Sequence, residues 1–379
     1  MLNLRHKTRD VFVPPEAPRR LPAWASPAIK FAVGTLLCYV LWRQLVAAGS
    51  GGNLLASLRG QLAVQPLWPL LVVVALMPVN LILEALKFRA LLDPFGAAAR
   101  GPGTTLVVSL RRVLAGLTVG IVTPNRVGEY AGRLAGAAPG ERSATIAATV
   151  LGGVGQLLAL VGGGAIALAS LARGGGGREV LSAAGGVGPS AIAVAVALAC
   201  ACFVLLPRLL AVTRIASRMA GLRPRSSRLG VLRDVAVARL RAAAATPVTV
   251  YAAALGYSAV RYGVYLAQIA LTFAWFGFRF GFESGVGGVV TAGGAAGLGI
   301  IVAGTAVVLL GQTFVPLPAF FQAVARVEIA ALVWAGTGVD LAALTLASLF
   351  VFVLNLALPA LVGLAVILRS DVDRTLQID

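Results

Sequence analysis

Long apolar runs separated by short polar breaks dominate this chain, and their lengths set the first expectation. A helix needs roughly 17 to 25 apolar residues to cross a bilayer. Runs of that order occupy 28–48, 66–92, 104–123, 143–172, 189–206, 248–276, 286–310 and 341–368. Read as helices, they predict an all-α, polytopic transmembrane bundle of about eight spans. The first run is too long for a signal-peptide core and has no convincing cleavage site, so it is read as retained.

The breaks differ in charge. Residues 49–52 and 174–177 are Gly-rich and carry little charge, whereas the tail 1–27 and the stretch 208–246 are basic. Between Arg208 and Arg241 nine arginines stand against a single acid, Asp234. Positive charge gathers on the cytoplasmic side of membrane spans. The expected layout is therefore one domain over 28–369, between tails 1–27 and 370–379 that are both cytoplasmic, in the plasma membrane of the cell. In 208–241 the arginines interleave with Leu, Ile, Val and Ala, the pattern of an amphipathic segment on anionic inner-leaflet lipid.

Composition supports the membrane reading. Of 379 residues 59% are hydrophobic and 12% charged, with a mean hydropathy of +0.90, where soluble domains carry about 25% charged residues. The net charge of +18 raises nucleic acid as a partner. Most of the basic residues flank spans and no nucleic-acid-reading motif accompanies them, so none is expected. Cys38, Cys200 and Cys202 lie in apolar runs, and the single histidine, His6, sits in the tail. Neither a metal centre, another cofactor nor His-based catalysis is expected from such a set.

Three places put ionisable groups where the chain is expected to lie at membrane depth, and there charge and broken backbone are costly unless buried in protein or lining a wet cavity. The first is Thr123-Pro124-Asn125-Arg126-Val127-Gly128-Glu129-Tyr130-Ala131-Gly132-Arg133. If the chain is helical after Pro124, then Arg126, Glu129 and Arg133 share one face, and Gly128 and Gly132 leave the opposite face small for close packing. The second is a stripe of Tyr257, Arg261, Tyr265 and Gln268 at helical spacing. The third is Arg326 with Glu328, behind Pro316 and Pro318. Each half thus has a Pro-broken segment, re-entrant in some transporters, that leads into an Arg and a Glu; such weak pseudo-repeats point to midplane binding sites. Glu84 and Lys87, three apart, suit an ion pair, while Lys87 and Arg89 also suit snorkelling to the headgroups.

Two readings of these charges stand. They are buried ion pairs between helices, such as Arg126 with Glu328 or Arg326 with Glu129, or they bind a ligand. Four arginines outnumber Glu129 and Glu328, and a planar guanidinium matches a phosphate. On the second reading the ligand is anionic, a lipid phosphate, and the candidate binding residues are Asn125, Arg126, Glu129, Arg133, Tyr257, Arg261, Tyr265, Gln268, Arg326 and Glu328.

The segment Pro124-Asn125-Arg126-Val127-Gly128-Glu129 is similar to the Pro-x-Arg-x-Gly-Glu segment of the lysylphosphatidylglycerol synthase transmembrane family, also described as flippase-like membrane proteins. Val324-Ala325-Arg326-Val327-Glu328 resembles that family's later motif more loosely. The resemblance runs over most of 28–369. It implies a helical membrane domain that moves an anionic or modified phospholipid, or a lipid-linked cell-envelope precursor, between leaflets. Better understood members carry a separate aminoacyl-transferase domain, for which this chain has no room, so it is expected not to make the modified lipid. The alternatives are a membrane-embedded transferase with Glu129 or Glu328 as general base, and an anchor that holds a soluble enzyme through 208–241.

Overall fold

The structure, a computed structural model, describes residues 65–96, 105–121, 123, 126–137, 141–173, 189–213, 227–277, 295–334 and 341–375, with isolated positions between 32 and 63 and at 219 and 339. Among these residues every regular element is helical and no strand is present. The tail 1–27, most of the run 28–48, Pro124, Asn125 and residues 376–379 of the second tail lie outside the described residues.

The first helix whose bounds lie within the described residues, α1 (Trp68–Gly96), packs beside α8 (Val248–Gly277). Pro78 removes the N–H that would close the turn onto Val74, a standard weakness of a helix interior. One residue earlier, the Val73 carbonyl accepts the buried Gln268 Nε2 of α8 at 2.9 Å. Trp275 Nε1 binds the Pro66 carbonyl at 2.7 Å and ties the far end of α8 to the start of α1.

Next comes a hairpin of α2 (Leu106–Ile121) and α3 (Gly128–Ala135). Gly128 lies against the Val119 carbonyl and Gly132 against Ala115, so α3 folds back antiparallel along α2. A Cβ on Gly132 would stand 2.7 Å from Gly116 Cα and closer still to the Ala115 carbonyl. Only glycine allows this approach, because backbone cannot move aside as a flexible side chain can. Thr123 Oγ1 accepts the Gly128 N–H at 2.8 Å and satisfies one of the free donors at the start of α3.

Helix α4 (Arg142–Arg173) leads to α5 (Pro189–Val204), α6 (Leu206–Thr213) and α7 (Ser227–Ala245), with α7 packed on α6. In α7 the arginines and the apolar residues are spread around the helix axis. Pro247 sits where α7 gives way to α8, and the two helices meet at 90°.

A second antiparallel hairpin is made by α9 (Ala295–Thr313) and α10 (Ala319–Val333), with Gly311 facing Ile329 and Gly304 facing Trp334. The chain ends in α11 (Leu341–Phe352) and α12 (Leu358–Thr375), joined by a π turn at Val353–Ala357. Pro359 explains this turn. It has no N–H for the Asn355 carbonyl and its ring would strike that carbonyl in an α-helix; the Leu358 N–H instead reaches back five residues to Val353.

Among the described residues three segments have the length and apolar composition of membrane spans: Trp68–Pro94, Arg142–Leu171 and Leu341–Arg369. The bent pair Arg233–Ala245 and Val248–Phe276 makes a fourth if counted as one span. Large apolar side chains such as Leu71, Ile166 and Leu361 point outward from the three, more than three-fifths exposed. Water does not suit such a surface, and hydrocarbon does. The chain is an all-α, membrane-spanning helix bundle. The expected run at 104–123 forms the shorter helix α2, the described part of the run at 286–310 belongs to α9, and the run at 189–206 holds α5. At 1.5 Å per residue the 16 residues of α2 reach only about 24 Å, short of a bilayer core of about 30 Å.

Two apolar cores hold the bundle. One joins α8, α9, α10 and α11 through Phe273, Trp275, Val308, Val327, Trp334 and Leu344. The other joins α1, α2, α4 and α8 through Ala85, Phe88, Leu91, Val113, Ala148 and Ala254. The charged residues gather between them.

Candidate functional site

Glu84 on α1 is the hub of this polar region. Its carboxylate meets Lys87 Nζ at 2.6 Å, Arg133 at 2.8 Å and Arg261 at 3.3 Å. All are drawn from different turns or helices, and each of Glu84, Lys87 and Arg133 is buried. Buried charge is tolerated in such a place only when paired. Arg133 also reaches Glu129 at 3.5 Å and stacks its guanidinium 5.1 Å from the centre of the Phe88 ring. Glu129 in turn pairs with Arg126.

The ion pairs expected from the sequence form only in part. Glu84 does pair with Lys87, and Lys87, 2% exposed, does not snorkel. Its polar end is drawn inward because Glu84 and the surrounding helices supply the solvation that headgroups would otherwise provide. Arg89 is more exposed and lies 3.8 Å from Asp93. Arg126 does not pair with Glu328, nor Arg326 with Glu129.

Arg126 also departs from the expected helix. Regular α3 begins at Gly128, and Arg126 precedes it with φ of 56°, a left-handed conformation that costs a non-glycine residue about 1–2 kcal/mol. Its amide binds the Thr123 carbonyl at 3.2 Å and its side chain folds forward onto Glu129. The three charged groups do converge, through a turn and not through one helical face.

Two adjoining cavities open beside this cluster. One, of about 380 Å³, is lined by Arg126, Arg261 and Arg326 and by no carboxylate among the described residues. Five side-chain amides, Asn80, Gln156, Gln312, Gln322 and Asn355, share its wall with Tyr265 and Thr313. The other, of about 410 Å³, holds Glu84, Lys87, Glu129 and Arg133. Arg126, Arg261, Gln156 and Thr313 line both, so they form the partition. Across the two cavities five cations face two carboxylates, and both carboxylates are already engaged.

Arg326 is the clearest surplus cation. It is 4% exposed, its Nε donates to Gln312 Oε1 at 2.9 Å and one terminal nitrogen to Tyr265 Oη at 3.1 Å. The other terminal nitrogen, Nη1, is buried without a hydrogen-bond partner. Arg261 is held by Gln156 Oε1 at 3.0 Å, a residue more than a hundred positions away in sequence.

The stripe on α8 therefore divides. Arg261 and Tyr265 face the cavity, whereas Gln268 binds the Val73 backbone and serves the α1–α8 contact. Tyr257 is half-buried and outside both linings, as is Glu328. Their helical spacing was right, but a helix rotates past its neighbours, so only part of a stripe meets any one cavity. Missing from the sequence reading were Gln156, Gln312, Gln322 and Asn355 as cavity residues, and Glu84 as the shared acid. Gln156, Asn355 and Glu84 are polar residues within apolar runs, which is the signal that could have found them; Gln312 and Gln322 lie between the runs at 286–310 and 341–368.

Among the described residues no three His, Cys, Asp or Glu side chains come together as a metal site. Comparison with protein-family models, with curated proteins and with solved structures finds no match.

Proposed function

We propose that the protein binds the anionic head group of a membrane lipid in the arginine-lined cavity and moves it between leaflets. The observation that supports this is a cavity of about 380 Å³ with three guanidinium groups and, among the described residues, no carboxylate in its wall, one of the three, Arg326, buried with a donor to spare. An uncompensated buried cation is costly, and a phosphate oxygen would satisfy it with a charge-assisted hydrogen bond. The outward-facing apolar surface supplies a lipid environment for the tails. Similarity to the flippase-like family at Pro124 to Glu129 agrees with this reading.

On this proposal the protein lies in the plasma membrane with both termini in the cytoplasm, and 208–241 rests against anionic inner-leaflet lipid. A transferase is less well supported, because neither Glu129 nor Glu328 lines the arginine cavity.

Reconstituted vesicles with a fluorescent anionic phospholipid test the proposal. Wild-type protein should speed exchange of the lipid between leaflets, and Arg326→Gln should remove most of that effect while the protein stays folded. Equal rates with the two proteins would overturn it.

A further inference from the structure

The arginines account for charge but not for the amides on the same wall, and two of these amides are left incomplete. Asn80 of α1 and Asn355 of the π turn face each other, with Asn80 Nδ2 donating to Asn355 Oδ1 at 3.5 Å. Asn80 Oδ1 and Asn355 Nδ2 are buried and have no hydrogen-bond partner. Whichever way round a bonded pair of amides is placed, one acceptor and one donor remain unused. A hydroxyl group is both donor and acceptor. It completes such a pair, which a phosphate oxygen, an acceptor only, cannot do.

The position of the pair is set by the backbone. Pro359 forces the π turn that carries Asn355, and Asn80 lies two residues beyond Pro78, where α1 is already short of one hydrogen bond. Asn80 is 7% exposed, and both residues line the same cavity as Arg126, Arg261 and Arg326.

We propose that Asn80 and Asn355 form a hydroxyl-reading subsite beside the arginines, so that the head group accepted is a polyol phosphate or sugar phosphate. This rests on the anionic-lipid reading above and narrows it. It also sets aside one of the modified phospholipids that the family resemblance would allow, an aminoacylated one. An aminoacylated phospholipid brings an ammonium group, and the cavity would meet it with three guanidiniums while Glu84 and Glu129 are occupied by Lys87, Arg126, Arg133 and Arg261.

The test uses the full chain in phosphatidylcholine nanodiscs and measures binding of phosphatidylinositol, phosphatidic acid, lysyl-phosphatidylglycerol and free inositol phosphate. Phosphatidylinositol should bind about tenfold more tightly than phosphatidic acid, the order expected when hydrogen bonds to a buried pair are completed. The lysyl lipid should bind no better than phosphatidylcholine. Asn80→Ala and Asn355→Ala should each remove the preference for inositol and leave phosphatidic acid binding unchanged, which also reports that the variant is folded. Should either alanine variant lose all binding, the leucine variants Asn80→Leu and Asn355→Leu, which keep the volume and remove the hydrogen-bonding groups, decide the same point.

Equal binding of phosphatidylinositol and phosphatidic acid by the wild type, or an equal loss of both in the alanine and the leucine variants alike, overturns the subsite and leaves the arginine site standing. Tight binding of the lysyl lipid overturns the charge selection. Phosphatidic acid binding that ignores Arg326→Gln overturns the anion site as well. Binding of free inositol phosphate as tight as that of the lipid would support the subsite and assign its ligand to the soluble phase.

Discussion

Glu84 is the residue on which the buried charges most depend, and Glu84→Gln isolates that dependence. The change keeps the side-chain volume and removes the negative charge that Lys87, Arg133 and Arg261 share at 2.6, 2.8 and 3.3 Å. Arg133 retains Glu129 at 3.5 Å, and Arg261 retains Gln156. Lys87, 2% exposed, keeps no carboxylate among the described residues. Breaking a buried pair by removing one partner costs about 3–5 kcal/mol. The folded-to-unfolded ratio should then fall by a factor of roughly 10² to nearly 10⁴. Equilibrium unfolding by increasing denaturing detergent, followed by tryptophan fluorescence, reads this loss. Adding Lys87→Met to Glu84→Gln removes the stranded ammonium, and the double variant should be more stable than Glu84→Gln alone by about 1–3 kcal/mol. An unchanged unfolding midpoint in Glu84→Gln, or a double variant no better than the single one, would refute the reasoning.

Other expectations follow from the same contacts. Gly132→Ala should lose about 1–3 kcal/mol in the same unfolding assay, because its Cβ meets the Ala115 and Gly116 backbone. Gly153→Ala and Gly256→Ala, whose Cβ positions are open, should be neutral or gain up to about 1 kcal/mol. At Arg126, with φ of 56°, the glycine variant should be more stable than the alanine variant by about 1–2 kcal/mol, although both lose the pair with Glu129. Lys87 should resist an amine-acylating reagent in folded protein and react after denaturation, as peptide mass spectrometry would show; rapid labelling of the native protein would mean that its ammonium reaches the headgroups.

Much of the fold was legible because hydrocarbon is a severe solvent. A run of apolar residues in which every backbone group must be satisfied has few alternatives to a helix, so α1, α4 and the Leu341–Arg369 segment lie close to where the hydropathy pattern put them. Less legible was how many runs are long, straight crossings. Length in sequence does not reveal that α2 and α9 fold back on short partners, nor that Pro247 divides α7 from α8 at 90°. The glycines gave a better signal: Gly128 and Gly132, four apart, marked the tight face of α3 correctly.

The residues of the charged region could be named from the chain because a charge within an apolar run is rare and costly. Which of them meet could not, since partners such as Glu84 and Arg133, or Arg261 and Gln156, stand 49 and 105 residues apart. Local spacing sees only neighbours on one helix, and it found Glu84 with Lys87 and Glu129 with Arg133. By itself, then, the sequence determined an all-α membrane bundle and a set of buried charges with arginine in excess, because both follow from composition and period. The tertiary structure alone decided where that excess lies. Helix packing turned Glu84 and Glu129 to one side of the Arg126–Arg261 partition, left Arg326 on the other, and set the Asn80–Asn355 pair beside it.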